Sequence, residues 1–126
     1  MFILGYLYNE GLLIDQDIDI ALTYYKEASS FNNQFAKNNL GILYKNGFDE
    51  KIKQNIPLAI EYFNEAIKQK NDYVSMYNLA HIYIFDCSNA NDQNKAEDLL
   101  IRSAHQNFVP SFELLCLFLI KKHNLN

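Results

Sequence analysis

Apolar residues recur along this chain at intervals of three and four, the spacing of the buried face of an α-helix. One apolar block is repeated: FILGYLYNEG at 2–11, NNLGILYKNG at 38–47, YNLAHIYIFD at 77–86 and, more loosely, LLCLFLIKK near the end. The small residue at its centre is Gly5, Gly41, Ala80 and Cys116 in turn, at intervals of 36, 39 and 36 residues. This regularity predicts a repeat protein.

A second block alternates with the first. It reads ALTYYKEA at 21–28, AIEYFNEA at 59–66 and AEDLLIRS at 96–103, with a small first residue, an apolar pair and a small last residue, which is Ala28 or Ala66 in the first two copies. Each period therefore reads as helix, turn, helix, turn. We predict an all-α fold with no strand and seven helices, at 2–9, 17–30, 33–46, 56–69, 73–85, 93–106 and 110–123.

Polar, proline and glycine residues mark the turns between these helices. Asp15 and Asp17 precede the second helix, and Pro57 stands in the first turn of the fourth, where a missing N–H is tolerated. Gly47 closes the third helix, where a left-handed cap suits glycine. We expect the connectors 47–55 and 87–94 to be exposed and mobile loops.

The glycine within the third helix needs a physical reason, because glycine inside a helix costs about 1 kcal/mol relative to alanine. We expect Gly41 to lie at the closest crossing of two helices, where a side chain would hold their axes apart. We expect Ala80 and Cys116 to lie at the equivalent helix crossings in the later repeats. The tyrosines Tyr8, Tyr44 and Tyr83, three positions on, are expected in the core.

Composition narrows the class of protein. A chain of 126 residues fits one domain, and its net charge of -4 with scattered basic residues predicts no nucleic-acid partner. The longest apolar stretch, 108–120, is too short and too interrupted for a membrane span, which needs about 20 apolar residues. Two cysteines far apart and no signal-peptide pattern at the start favour a reducing, cytoplasmic setting.

The sequence contains no recognisable catalytic or metal-binding motif. The stretch DQDIDI at 15–20 starts like a calcium loop, but it lacks the required glycine and glutamate. The histidines His81, His105 and His123 have no ligand partner at metal-binding spacing. We therefore expect no metal, no cofactor and no enzyme activity, and no disulfide between Cys87 and Cys116.

The combined pattern L-G-x-x-Y-x-x-G followed by A-x-x-Y-[YF]-x-x-A resembles the Sel-one-like repeat (SLR), a relative of the tetratricopeptide repeat. LGYLYNEG with ALTYYKEA, and LGILYKNG with AIEYFNEA, carry the resemblance. It implies one domain over 1–126, a right-handed α/α solenoid of about 3.5 repeats at 1–30, 33–69, 73–106 and 110–123, expected as a module or fragment of a longer protein. It also implies a non-catalytic adaptor or scaffold.

In this family the concave groove is lined by the first helix of each repeat, which implies a binding face for a protein or peptide. We expect Asn39 and Asn78, aligned one repeat apart, to bond a peptide backbone, and Lys45 and His81 to attract an acidic group. Ordinary solvated polar residues are the alternative reading. The face comprises Asn38, Asn39, Ile42, Lys45, Tyr77, Asn78 and His81, with Tyr6 and Asn9 upstream.

Two further expectations concern the ends and the cellular role. The terminal stretches MFILGYLY at 1–8 and SFELLCLFLI at 111–120 are apolar nearly all round, which is typical of covered helices. We expect the last helix to be covered by further chain or by a second copy in a homodimer. Alternative roles are a regulatory or substrate-docking segment of a larger signalling enzyme such as a kinase, or a stand-alone inhibitor or immunity-type protein.

Overall fold

Six α-helices form most of the chain in the computed structural model, which describes residues 17–87 and 89–123. They are α1 (Ile18–Ser30), α2 (Gln34–Asn46), α3 (Ile56–Lys70), α4 (Tyr73–Phe85), α5 (Ala90–Ala104) and α6 (Val109–Lys122). Within the described ranges the β-structure amounts to one isolated bridge between Phe48 and Ile52. The predicted all-α class is confirmed.

Five of the helices begin and end within one residue of the predicted bounds. The predicted helix at 2–9, with Gly5, Tyr6, Tyr8 and Asn9, lies outside the described residues. The prediction of a loop at 87–94 was wrong, because α5 already begins at Ala90. Asn89 Oδ1 accepts from the Asp92 backbone N–H at 2.8 Å while Asn89 Nδ2 donates to Asp92 Oδ2 at 2.7 Å, and this reciprocal capping starts the helix early.

Other helix ends follow the sequence signals. The Asp17 carboxylate accepts from two backbone N–H groups of the first turn of α1, at 3.1 and 3.2 Å, so it is an N-cap. The Asn55 side chain accepts from the Leu58 N–H at 3.1 Å at the start of α3. Gly47 closes α2 with a φ of 71°, a conformation that disfavours side chains.

The chain divides into two compact units, residues 1–70 and 71–126. In the described part of the first unit, α2 packs against both α1 and α3. The connector 47–55 joins this core, because a turn brings the Phe48 N–H to 2.8 Å from the Ile52 carbonyl oxygen and Ile52 is only 4% exposed. The expectation of an exposed loop was therefore wrong at Ile52. The buried cluster consists of Ile18, Ala21, Tyr25, Leu40, Leu43 and Ile52.

Gly41 lies under the ring of Phe63 from α3. A Cβ atom at Gly41 would lie 2.5 Å from Phe63 Cε1, a distance that non-bonded carbon atoms do not reach. The residue is buried, as its sequence position predicted. The close partner is an aromatic side chain of the neighbouring helix rather than its backbone.

Lys37 is a buried lysine that the sequence patterns did not single out. Its Nζ donates to Gln69 Oε1 at 2.6 Å, lies 3.4 Å from Asn32 Oδ1 and forms an ion pair with Glu65 Oε2 at 3.7 Å. A buried ammonium group needs such partners, because an unpaired charge in the interior is costly. Lys37 therefore ties the beginning of α2 to the end of α3.

The second unit is built on α5, which packs against α4 and α6. Two buried serines and one backbone carbonyl in it form a chain of hydrogen bonds. Ser103 Oγ donates to the Tyr73 carbonyl oxygen at 2.8 Å and lies 2.6 Å from Ser111 Oγ. Because a hydroxyl has one hydrogen, Ser111 must be the donor to Ser103. The chain therefore links one residue from each of the three helices of the unit.

The packing role expected of the repeated small residues holds in part. Ala80 and Ala66 are fully buried, and Ala28 is only 4% exposed. Cys116 is exposed, so its predicted packing role was wrong. Gly41 is buried because α3, the next helix, lies over it. No described residue covers Cys116 on α6 in the same way. Among the tyrosines expected in the core, Tyr83 is 9% exposed and Tyr44 is half-buried.

Candidate binding surface

The first group of predicted binding residues lies on α2 in the first unit. Asn39 Nδ2 donates to the Phe35 carbonyl oxygen at 2.9 Å, so part of its amide already bonds its own helix. The Lys45 carbonyl oxygen accepts from Gln54 Nε2 at 2.9 Å, which ties the end of α2 to the connector. All four predicted side chains are half-buried: Asn38, Asn39, Ile42 and Lys45.

The second group lies on α4 in the second unit, where the structure shows a row of rings. The rings of Tyr77 and His81 have centroids 6.3 Å apart, and those of His81 and Phe85 are 4.5 Å apart. Phe108, just before α6, lies against Tyr73 at 5.2 Å and edge-on to Tyr77 at 5.6 Å. We call Tyr73, Tyr77, His81, Phe85 and Phe108 the aromatic row.

Sequence reasoning selected two of these five rings, Tyr77 and His81, and missed the others. The missed signal is the spacing of four residues from Tyr73 to Phe85, which places the helical members on one face of α4. This spacing was hidden because α4 is apolar on nearly every side. The contact of Phe108 depends on the turn between α5 and α6, which periodicity does not describe.

The members of the aromatic row differ in their exposure to solvent. Tyr73 is 38% exposed and Phe85 is 62% exposed, while Tyr77 and His81 are half-buried. Such rings contact apolar, aromatic or cationic groups through their faces and edges. Asn78, also half-buried, follows Tyr77 on the same helix. The row therefore presents ring surface to solvent at both of its ends.

Two of the side chains that the structure describes have a shifted pKa. Burial, assisted by the nearby Asp92 and Asp86 carboxylates, raises the pKa of the Cys87 thiol. Burial also raises the pKa of Tyr62, whose ring stacks on that of Tyr44 with centroids 5.9 Å apart. Both shifts disfavour the anionic form. Neither residue belongs to the predicted binding face.

The described residues contain no group of three or more side chains able to hold a metal ion. The remaining histidines, His105 and His123, are exposed on the second unit. Both cysteines are free thiols, with Cys87 half-buried and Cys116 exposed. None of the described helices combines the length and apolar character needed to cross a bilayer.

The family to which the repeats belong follows from a comparison with protein-family models. The Sel1 repeat model matches residues 1–30, 34–71 and 74–108, which together make up most of the chain. The chain belongs to the Sel1 repeat family. This confirms the resemblance seen in the paired L-G-x-x-Y and A-x-x-Y-[YF] blocks. No curated protein sequence matches the chain.

Solved structures of Sel1 repeat proteins share the fold. A protective antigen present in uropathogenic Escherichia coli strains, which displays an SLR fold, matches with a TM-score of 0.88 and 25% identity over 96% of this chain and 25% of its own. A Sel1 repeat protein from Oxalobacter formigenes matches with a TM-score of 0.82 and 24% identity over 98% of this chain and 49% of its own. The chain thus spans a quarter to a half of these relatives, and its α/α solenoid class is confirmed.

Proposed function

We propose that this Sel1 repeat chain is a non-catalytic module that binds a peptide or protein partner through the first helix of each repeat. Family membership supports the general role, because solenoid repeats present extended surfaces for other proteins. The net charge of -4 and the scattered lysines argue against nucleic acid. Two free thiols fit a reducing, cytoplasmic compartment.

The aromatic row is the observation that carries this proposal. Four of its five rings lie on one face of α4, and its two ends at Tyr73 and Phe85 are exposed to solvent. Ring surfaces lose little conformational entropy on binding, because an aromatic side chain has only two rotatable angles. A partner segment lying along α4 would therefore bury apolar area at low entropic cost.

The asparagines of the predicted face would orient the peptide. Asn78 neighbours Tyr77 in the second unit, and Asn39 holds the aligned position in the first. Asn39 already donates one hydrogen bond within its helix, which leaves its oxygen and one further N–H for a peptide backbone. Lys45 and His81 would favour a partner segment with an acidic side chain or carboxylate.

A peptide library displayed on phage tests the proposal. Peptides selected on the 126-residue chain are measured by calorimetry against the variant Asn39→Ala/Asn78→Ala. We expect a loss of affinity of about tenfold or more, because two backbone-orienting amides are removed. A separate His81→Ala variant should weaken the peptides that carry an acidic residue most.

The matched control is Asn64→Ala/Asn91→Ala, which removes two exposed asparagines outside the predicted face. This control should keep affinity within about twofold of the wild type. If the Asn39/Asn78 variant binds every selected peptide as the wild type does, the proposed face is wrong. If no peptide is selected and no protein partner binds, the proposed peptide-binding module is itself contradicted.

A further inference from the structure

A polar groove of about 550 Å³ lies in the first unit, between the end of α1 and the end of α3. Every residue that lines it is polar or charged. We call it the lysine groove and define it, beside two serines of α1, by Lys26, Asn32, Lys37, Glu65, Lys68 and Gln69. Three lysines against one glutamate leave this lining two positive charges, in a chain whose net charge is -4. The groove therefore concentrates positive potential at one place on an acidic chain.

The buried Lys37 fixes the orientation of two amides in the lysine groove. Its ammonium group has only hydrogen donors, so the side-chain oxygens of Asn32 and Gln69 face it, at 3.4 and 2.6 Å from Nζ. The nitrogen of each amide must then point away from the ammonium group. No residue that the structure describes accepts a hydrogen bond from either nitrogen. Both amides thus offer N–H donors to a ligand.

The charged side chains around these amides are held loosely. Among the described residues that line the lysine groove, Glu65 is the one acid. Its carboxylate lies 3.7 Å from Lys37 Nζ, beyond hydrogen-bond distance, and its side chain is 46% exposed. It can rotate into water while Gln69 keeps its short bond to the ammonium group. Lys26 and Lys68 are exposed and form no ion pair with any described residue.

A second groove of about 510 Å³ adjoins the lysine groove, because Asn32 lines both. It contains the side chains of Phe31 and Phe35, which are 70% and 55% exposed. A ligand that fills both grooves needs an apolar group close to its anionic group. A phosphorylated peptide has this combination, whereas free phosphate offers only the anion.

We propose that the lysine groove binds the phosphate group of a phosphorylated peptide, and that an apolar residue beside the phosphate packs on the two phenylalanines. A phosphate group carries nearly two negative charges and three acceptor oxygens. Lys26 and Lys68 pair with it, and the amide N–H groups of Asn32 and Gln69 donate to its oxygens. The two grooves contain none of the residues of the predicted binding face. The inference therefore goes beyond the proposed function and adds a second docking surface.

A short labelled peptide, with a phosphoserine followed by a leucine among glycines, is the probe. One reference peptide has serine in place of the phosphoserine, and another has glycine in place of the leucine. Fluorescence anisotropy with the 126-residue chain measures affinity, and amide NMR shifts locate binding. We expect the loss of the phosphate to weaken binding by about tenfold or more, and the loss of the leucine by about threefold or more.

The variant Lys26→Gln/Lys68→Gln removes the two exposed charges of the groove and should weaken the probe by about tenfold or more. Its matched control is Lys51→Gln/Lys53→Gln, which removes two exposed lysines of the same unit outside both grooves. This control should keep affinity within about twofold of the wild type at 0.15 M salt, where distant charges are screened. Equal urea midpoints in both variants exclude an effect through folding.

Two further variants separate binding from the structural role of Lys37. Gln69→Glu still gives the buried ammonium group a partner, so the urea midpoint should not fall. The same change replaces two N–H donors by a negative charge, so the probe should bind about tenfold more weakly or worse. Glu65→Gln removes the carboxylate that competes with the phosphate and should tighten binding by about threefold or more.

Three results would overturn the proposal. The first is equal affinity for the phosphoserine peptide and its serine reference. The second is equal affinity of the wild type and Lys26→Gln/Lys68→Gln for the probe. The third is displacement of the probe by inorganic phosphate at the same concentration as by the unlabelled probe, because the groove would then bind a free anion. The test with Asn39 and Asn78 concerns other residues, so the two proposals can fail separately.

Discussion

The backbone of Gly41 in α2 is covered by the ring of Phe63 in α3. A Cβ atom at Gly41 would lie 2.5, 2.7 and 2.8 Å from three carbon atoms of that ring. Phe63 is completely buried, so its ring has no exposed side toward which it could move. The stabilisation gained by packing a whole aromatic ring outweighs the cost of about 1 kcal/mol for glycine in a helix.

The substitution Gly41→Leu should therefore reduce the free energy of unfolding by about 1 to 3 kcal/mol, because the new side chain overpacks the site. Urea unfolding followed by circular dichroism measures the effect. Substituting Asn46, an exposed residue of the same helix, by leucine is the matched control and should change stability by no more than about 0.5 kcal/mol.

The partner ring provides a second check. Phe63→Ala alone should cost about 3 to 5 kcal/mol, because it leaves a cavity in the core. In the double variant the leucine occupies part of this cavity, so the combined loss should be smaller than the sum of the two single losses. Additive losses would mean that Gly41 and Phe63 do not share the packing described.

The sequence could predict that position 41 excludes a side chain, since a small residue recurs there at repeat intervals. It could not predict what excludes it, because the ring of Phe63 comes from a block with its own periodicity. The same limit explains why the prediction failed at Cys116. This residue holds the repeat position of Gly41, but no described helix lies over it. Periodicity locates a face on a helix, whereas burial depends on what lies over that face.

The chain of hydrogen bonds from Ser111 through Ser103 to the Tyr73 carbonyl oxygen predicts that the two serines contribute unequally to stability. Ser103→Ala removes the donor to the Tyr73 carbonyl oxygen and also leaves the Ser111 hydroxyl without its acceptor, so it should cost about 1 to 3 kcal/mol. Ser111→Ala leaves the bond from Ser103 to Tyr73 intact and should cost about 0.5 to 1.5 kcal/mol. Urea unfolding of both variants measures the difference.

Ser30, an exposed serine at the end of α1, provides the control for this pair. Its change to alanine removes a hydroxyl bonded only to the Glu27 carbonyl oxygen at 2.6 Å, in contact with water. This change should have little effect, because water replaces the lost partner. A larger loss for Ser111→Ala than for Ser103→Ala would contradict the assigned direction of the hydrogen bond.

The two cysteines should differ in their reactivity toward a neutral alkylating reagent such as iodoacetamide. Cys116 is exposed, whereas Cys87 is half-buried and its pKa is raised above the ordinary value of 9.0 by burial and by nearby carboxylates. The thiolate is the reactive form, so at pH 8 Cys87 should react several times more slowly than Cys116. The single variants Cys87→Ser and Cys116→Ser allow each rate to be measured alone by mass spectrometry.

The pH dependence separates the acid–base effect from simple shielding. Because the pKa of Cys87 is raised, its alkylation rate should still increase above pH 9.0. Asp86→Asn removes one of the carboxylates that oppose the thiolate and should move this rise to lower pH. In urea, where burial is lost, the two thiols should react at similar rates. If Cys116 in the folded chain reacts with the reagent only after urea is added, this cysteine is buried. The description of this face of α6 as exposed would then be wrong.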